Sequence, residues 1–496
     1  MFLLGYDIGS SSIKASLLNA ETGEALASAF CPKKEMEMLA VQPGWAEQHP
    51  DTWWENLKAA TAEVLSKAQV DVKQIKAIGI SYQMHGLVIV NKHQKVLRPS
   101  IIWCDSRAVN IGNAAFEKIG KKNCLDHLLN SPGNFTASKL KWVKDNEPET
   151  YAKIHKAMLP GDFIAMKMTG EITTTSTGLS EGILWDFKEE KVASILLDQY
   201  GISADLIPNI VPVFSNQGTL TAYAAKELGL NPGTVIAYRG GDQPNNAFSL
   251  NVLKTGEVAA TAGTSGVIYG VSDKAKYDEQ SRVNTFVHVN HTTEAPKYGV
   301  LLCVNGTGIL NSWTKNNLLG YNKELTYPEM NDLAAKAPIG SNGLNMLPFG
   351  NGAERILGNK EIGAQLSGLR FNSHNLSHVL RAAQEGIVFS LNYGLEIMKG
   401  VGVNASTIKA GEGNMFLSPI FSEAFSTLTG AVVELYKTDG SQGAARAAGY
   451  GAGVYKTLND AFVGLNSVRK IEPKENLKQQ YLDAYNNWLQ TLSKHI

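Results

Sequence analysis

Gly5-Tyr6-Asp7-Ile8-Gly9-Ser10-Ser11-Ser12-Ile13-Lys14 is a short apolar strand that enters a tight, hydroxyl-lined turn and leaves it as a second strand. Nothing larger than Gly or Ser obstructs the backbone at the bend. Glycines let amide N–H groups converge on an anion, serine hydroxyls add donors, and an aspartate beside them can hold Mg²⁺ or accept a proton. Alone, such a turn is most often an ordinary hairpin. Two later segments change that reading. Arg239-Gly240-Gly241-Asp242-Gln243-Pro244 sets an aspartate against two glycines, and Ala262-Gly263-Thr264-Ser265-Gly266-Val267 repeats the first turn. No G-x-x-x-x-G-K-S/T pattern surrounds either turn, and neither is a G-x-G-x-x-G bend opening a helix, so a phosphate site here is assembled in another way.

The chain has 496 residues, more than one hydrophobic core usually serves, and two large domains or three smaller ones are expected. Lys+Arg and Asp+Glu balance at 46 each, so no basic field attracts nucleic acid or an anionic membrane. Cys31, Cys104, Cys124 and Cys303 are far apart and form no C-x-x-C, which argues against zinc or a disulfide framework and for reduced thiols in a cytoplasmic protein. The start of the chain has no basic segment ahead of its brief apolar run, so no signal peptide is expected. No stretch of about 18 apolar residues is present to span a membrane.

Residues 3–8 and 13–18 are expected to form a hairpin, with a turn over Asn19–Glu24 and further strand to Phe30. Pro50-Asp51 opens a helix with Trp54, Leu57, Thr61, Val64 and Ala68 at three- and four-residue steps. The apolar strand Ala77–Ile80 ends in Ser81-Tyr82-Gln83-Met84-His85-Gly86, and another, Ile101–Trp103, ends in Cys104-Asp105-Ser106-Arg107. Both tails are candidate site loops, because ligands of open α/β sheets bind beyond the carboxyl ends of strands. Helices are expected at 137–146 and 220–228, with a Pro-Gly-Asp turn at 160–162 between them.

After Asp242 the pattern of strand, hydroxyl-glycine turn and strand recurs over 257–270. A long helix from Asn375 carries Val379, Ala383, Ile387, Leu391 and Leu395, and its internal Gly386 signals close backbone packing. A strand from Ile408 leads through Gly411-Glu412-Gly413-Asn414 into a helix, and the small residues of Thr438–Gly449 suit tight helix packing. Two halves, each with a phosphate-like turn near its start, argue for duplication.

These segments together resemble the FGGY carbohydrate kinases, and the similarity runs essentially the whole chain. It rests on Asp7–Ser11, Trp45-Ala46-Glu47-Gln48 with Trp53-Trp54, Trp103–Arg107, Phe135–Ala137 with Lys139-Leu140 and Trp142, Leu159-Pro160 with Asp162, Met168–Glu171, Gly240–Asp242, Ala262–Gly266 and Glu385-Gly386. Gln83-Met84-His85-Gly86 is most similar to the branch that acts on D-xylulose. The chain departs from the family at Gln243, where xylulose-specific members more often have Asn and glycerol-specific ones Gln. It also departs at Thr174–Gly178, which lacks the aspartates of many relatives. Gly411–Asn414 replaces a run of glycines, and Phe425–Gly430 lacks the Ala-Asp of a second signature.

The resemblance implies an α/β fold, a two-lobed, duplicated architecture of the actin, hexokinase and Hsp70 (ribonuclease H-like) group with a central cleft. Residues 1–245 would form the sugar-binding and catalytic domain and 246–496 the nucleotide-binding domain. The implied reaction transfers phosphate from ATP to the 5-hydroxyl of D-xylulose. Asp242 is the implied general base. Gln83, Met84, His85, Asp105, Asp242 and Gln243 would bind the sugar. Gly9, Ser10, Ser11, Gly263, Thr264, Ser265, Trp313, Gly411, Glu412, Gly413 and Asn414 would bind ATP, with Asp7 and Asp242 on Mg²⁺. Partners are the ketose and ATP, not nucleic acid or a membrane; homodimerisation stays open. A ribulose, fuculose or glycerol kinase of the same family is the alternative. An actin-like assembly or chaperone ATPase would also carry two phosphate turns, but has no reason to place Gln83–His85 and Asp242 beyond sheet strands.

Overall fold

The computed structural model describes residues 1–318 and 325–496 and divides into two compact units. The first comprises Met1–Asn251, Phe286–Lys297 and Thr438–Leu465; the second comprises Val252–Thr285, Tyr298–Lys437 and Asn466–Ile496. Membership therefore does not follow a single cut of the chain.

In the first unit, strands β1 (Phe2–Ile8), β2 (Ile13–Asn19), β3 (Ala25–Cys31), β4 (Ile75–Tyr82) and β5 (Val235–Gly241) form a sheet in the order β5-β4-β1-β2-β3. β1, β2 and β3 run antiparallel, while β1 and β5 each run parallel to β4. Helix Pro50–Ala68, with Pro50 in its first turn, buries Trp53, Trp54, Leu57, Thr61 and Val64, and the Thr61 hydroxyl pairs with Tyr6 at 2.7 Å. The helix Gly440–Gly451 also packs on this sheet, and backbone lies against backbone there. A methyl at Gly5 would stand 1.9 Å from the Ser441 carbonyl oxygen, and one at Gly79 would stand 2.0 Å from that of Ala444.

Two local expectations change. Pro160-Gly161-Asp162 is not a free turn but the start of helix Pro160–Thr169, where proline's fixed φ and missing N–H are tolerated. Its Asp162 carboxylate accepts from the Leu159 amide at 3.2 Å. The apolar run at 101–103 pairs only over Ser100–Ile101, against Glu47–Gln48, and lies outside the five-stranded sheet.

The second unit holds β6 (Glu257–Ala262), β7 (Gly266–Ser272), β8 (Asn284–Val287), β9 (Tyr298–Val304), β10 (Thr407–Gly411), β11 (Val432–Tyr436) and β12 (Ser467–Ile471). β8 runs on into the segment grouped with the first unit. The sheet order is β8-β9-β7-β6-β10-β11-β12. Its central five strands, β9-β7-β6-β10-β11, repeat the topology of the first sheet: an antiparallel hairpin and third strand on one side of the leading strand, two parallel strands on the other. Helix Leu376–Gly400 is buried along most of its length. At Gly386 a methyl would stand 2.1 Å from the Met346 carbonyl oxygen, the close approach that explains glycine inside a helix.

Candidate active site

Three parallel strands of the first unit end side by side. β4 pairs Ser81 with Asp7 of β1 and Tyr82 with Gly241 of β5, so Asp7, Gln83 and Asp242 sit at the carboxyl ends of adjacent strands. Asp7 accepts a hydrogen bond from the Ser81 hydroxyl at 3.0 Å. Gly440, at the start of its helix, leaves room for the Asp7 carboxylate, since a methyl there would stand 2.7 Å from Oδ2. Burial raises the Asp7 pKa; Lys14 and the Ser81 bond oppose the shift, and the charge of Asp439 adds to it.

Asp242 is the first residue of helix Asp242–Ser249. Burial, and then the charge of Asp7, push its carboxyl up to about 7, against hydrogen bonds from the Gln243 backbone and side chain. A carboxylate tuned close to neutrality can take a proton from a hydroxyl as that hydroxyl attacks.

Beside Asp242 the chain is closely packed. A methyl at Gly241 would stand 2.7 Å from Met84 Cγ and 3.1 Å from Glu181 Oε2. His85 has a φ of 63° and donates from Nδ1 to the Glu181 carbonyl at 2.8 Å, which fixes the orientation of the ring. Phe135 meets the imidazole edge-on at 4.7 Å, with Phe286 at 5.6 Å. The buried Lys139, its pKa lowered to about 7 by desolvation, donates to the carbonyls of His85 and Ile102 at 2.9 Å each and so holds the loop in place. The Gln83 side chain is buried, and among the described residues neither its amide nitrogen nor its oxygen has a hydrogen-bond partner.

Asp105 is not offered in this way. Its fully buried carboxylate accepts from the Ala46 amide at 2.6 Å and pairs with Arg107, whose guanidinium also binds Glu47 at 2.6 Å and lies 3.7 Å over Trp45. The expected sugar contact at Asp105 is instead an internal staple of the Trp45–Glu47 and Trp103–Arg107 segments.

The first turn closes with the Gly9 amide donating to the Ser12 carbonyl at 3.1 Å. Gln48 and Trp103 hold Ser10 through its carbonyl and its hydroxyl, at 2.7 and 3.3 Å. Ser11 is exposed. In the second unit the equivalent turn, Gly263-Thr264-Ser265, receives the amides of Gly308 and Ile309 at 2.9 and 3.1 Å, which seats helix Gly308–Leu318 upon it. A cavity of about 550 Å³ opens there, lined by Gly263, Thr264, Asn311, Tyr327, Asn414 and Ser418 among others. Ser418 donates to the Gln384 side chain at 2.6 Å, which in turn donates to Asn331 at 2.9 Å. Trp313 lines a neighbouring apolar cavity of about 340 Å³ instead. Neither Ser265 nor Gly411-Glu412-Gly413 is among the residues lining the larger cavity, and the Glu412 amide is taken by the Tyr436 carbonyl at 2.8 Å. Asn311, Tyr327, Asn331 and Ser418 were not foreseen, because nothing in their scattered positions marks them before folding.

Among the described residues no cluster of three or more His, Cys, Asp or Glu is arranged to hold a metal ion. Asp7 and Asp242 supply hard oxygen donors, and the charge of Asp7 raises the pKa of Asp242. That donor set fits a Mg²⁺ that keeps most of its water rather than one caged by protein.

Residues 2–249 match the N-terminal domain, and residues 258–452 the C-terminal domain, of the FGGY family of carbohydrate kinases. The chain belongs to this family and is an ATP-dependent sugar kinase. It is 30% identical to the xylulose kinase of Bacillus subtilis, across 98% of this chain and 96% of that one. The structure of a xylulose kinase from Rhodospirillum rubrum superposes with a TM-score of 0.88 at 24% identity, covering 100% and 99% of the two chains. A gluconate kinase from Lactobacillus acidophilus superposes equally well, with a TM-score of 0.89 at 21% identity over 99% and 98%. Among the described residues no helix is long and apolar enough to cross a membrane.

Proposed function

We propose that this kinase transfers the γ-phosphoryl group of ATP to the terminal 5-hydroxyl of D-xylulose, giving D-xylulose 5-phosphate and ADP. The observation that carries the reading is the arrangement of Gln83, Met84 and His85 at the end of β4, against Asp242 at the end of β5. A base and a sugar-sized set of polar and apolar contacts thus stand together, and the similarity to xylulose kinases supplies the sugar.

Phosphoryl transfer needs alignment, charge neutralisation and an acceptor for the hydroxyl proton. Asp242 takes that proton, with Gln243 holding its carboxylate in place. Met84 packs on the carbon skeleton, while the Gln83 amide and the His85 imidazole exchange hydrogen bonds with hydroxyls. The cavity beside Gly263 and Thr264 is of the size that takes a small-molecule ligand, and we assign it to the nucleotide. Asp7 would hold Mg²⁺ through water, with Asp242 as its second carboxylate, and the bound ion would neutralise charge on the phosphates.

A coupled ADP-release assay over D-xylulose, D-ribulose, fuculose, glycerol and gluconate tests the reading. D-Xylulose is expected to lead D-ribulose by at least about tenfold in kcat/KM, the cost of leaving one buried polar group unpaired. A leading rate on glycerol, which Gln243 after the base would suit, or on gluconate would reassign the substrate.

A further inference from the structure

Asn246 lies one turn along the helix Asp242–Ser249 from Asp242, and residues at that spacing share one face of a helix. Its side chain is partly buried, and Gly440 shows what it stands against. A methyl on Gly440 would be 2.7 Å from Asp7 Oδ2 and 3.2 Å from Asn246 Oδ1, so oxygens from two distant segments flank one point. An asparagine placed to satisfy Asp7 would turn its amide nitrogen there and donate. Here the oxygen is the nearer atom, and Asp7 takes its side-chain hydrogen bond from Ser81 instead. Two acceptors set against each other call for a cation, or its bound water, between them. The helix has little freedom to turn Asn246 away. Fully buried Asn245 donates to the Gly440 carbonyl at 2.8 Å, and a methyl on Gly443 would stand 2.5 Å from Ser249 Cβ, so the two helices are locked together. The residue type also fits. Asp7 and Asp242 balance the charge of Mg²⁺; a third carboxylate would leave the site negative and repel phosphate, whereas an amide oxygen adds a donor without charge.

We infer that Asn246 is a third protein oxygen of the Mg²⁺ site assigned to Asp7 and Asp242, holding water of the ion and so raising its affinity. This rests on the metal assignment proposed above and not on the identity of the sugar.

The test titrates Mn²⁺, which accepts the same oxygen ligands and whose free fraction is read by electron paramagnetic resonance, into the full-length protein with and without ADP. Asn246→Ala, Asn246→Asp and Asp7→Ala are measured beside the unmodified protein, with thermal melts in chelator. Asn246→Ala should weaken Mn²⁺ binding by about 10-fold and leave the melt in chelator unchanged. Asn246→Asp should bind Mn²⁺ about 10-fold more tightly and melt lower in chelator, because Asp7 and Asp242 repel the added charge, with Mn²⁺ restoring the melt. Unchanged Mn²⁺ affinity in both Asn246 variants, while Asp7→Ala binds more weakly, overturns the inference alone. Weaker binding in both, with a lowered melt in chelator for Asn246→Ala, assigns Asn246 to folding and overturns it as well. Mn²⁺ affinity untouched by Asp7→Ala removes the metal assignment and the inference with it.

Discussion

At the scale of single residues, the proposed phosphoryl transfer turns on carboxylates held away from water. Asp242→Asn should lower kcat by roughly 10²- to 10⁴-fold while sugar binding, followed by calorimetry, survives. The same change has a second expected outcome. Burial holds the Asp242 carboxyl at about 7, above the ordinary 3.8. Between those values the folded protein keeps a proton that the unfolded chain has lost. Stability therefore falls as pH rises through this window, and the penalty is complete above about 7. Asn carries no charge, so with chelator present Asp242→Asn should melt a few degrees above the unmodified protein at pH 8, at about 2–4 °C per kcal/mol, with a clearly smaller gain at pH 5. A gain that is the same at both pH values contradicts the burial argument. Asp7→Ala should raise the Mg²⁺ concentration giving half-maximal rate by about 10-fold or more, read from a magnesium titration at fixed ATP. Of these groups Asp7, Asp242 and Gln83–His85 were legible in the sequence, since each sits beside a glycine turn or a strand end. Glu181 was passed over: before folding it is one acidic residue among Leu179, Ser180 and Gly182.

At the scale of elements, glycine positions decide how close helices come to sheets. Gly5→Ala should prevent stable folding or lower the melt steeply, by more than about 3 kcal/mol, because the new methyl would meet the Ser441 carbonyl at 1.9 Å and neither backbone can retreat. Gly400→Ala, at a helix end with nothing within 4 Å, is the matched control and should change stability by less than about 1 kcal/mol. Similar melts for the two variants would show that the helix Gly440–Gly451 does not pack as described. The strand–turn–strand units and the helices at Pro50 and Asn375 were readable, because period and capping residues are local signals. Pro160 was misread as a turn for an equally local reason: proline and glycine open a helix here as readily as they make a bend.

At the scale of the whole molecule, the topology β3-β2-β1-β4-β5 recurs as β9-β7-β6-β10-β11, with a glycine-hydroxyl turn after the leading strand each time. The first unit is completed by chain from far downstream, since Thr438–Leu465 belongs to it. Arg446, in that segment, donates to the Gly23 carbonyl at 2.8 Å, and Ser441 pairs with Ser16 at 2.8 Å. A fragment of residues 1–251 expressed alone should accordingly expose the sheet face around Gly5 and Gly79, bind a hydrophobic dye and aggregate. Adding 438–465 through a flexible linker should reverse this, and a well-folded, monomeric 1–251 would refute the assignment. The amino-acid sequence by itself determined the α/β class, the duplication, the family and the residues at the turns, because periodicity, glycine turns and short motifs are written in consecutive positions. Tertiary structure alone decided that Asp105 is a staple, that Glu181 is buried beside Gly241, that burial raises the Asp242 pKa and that a late helix completes the first unit. Desolvation and packing come from residues tens to hundreds of positions apart, and no local pattern carries them.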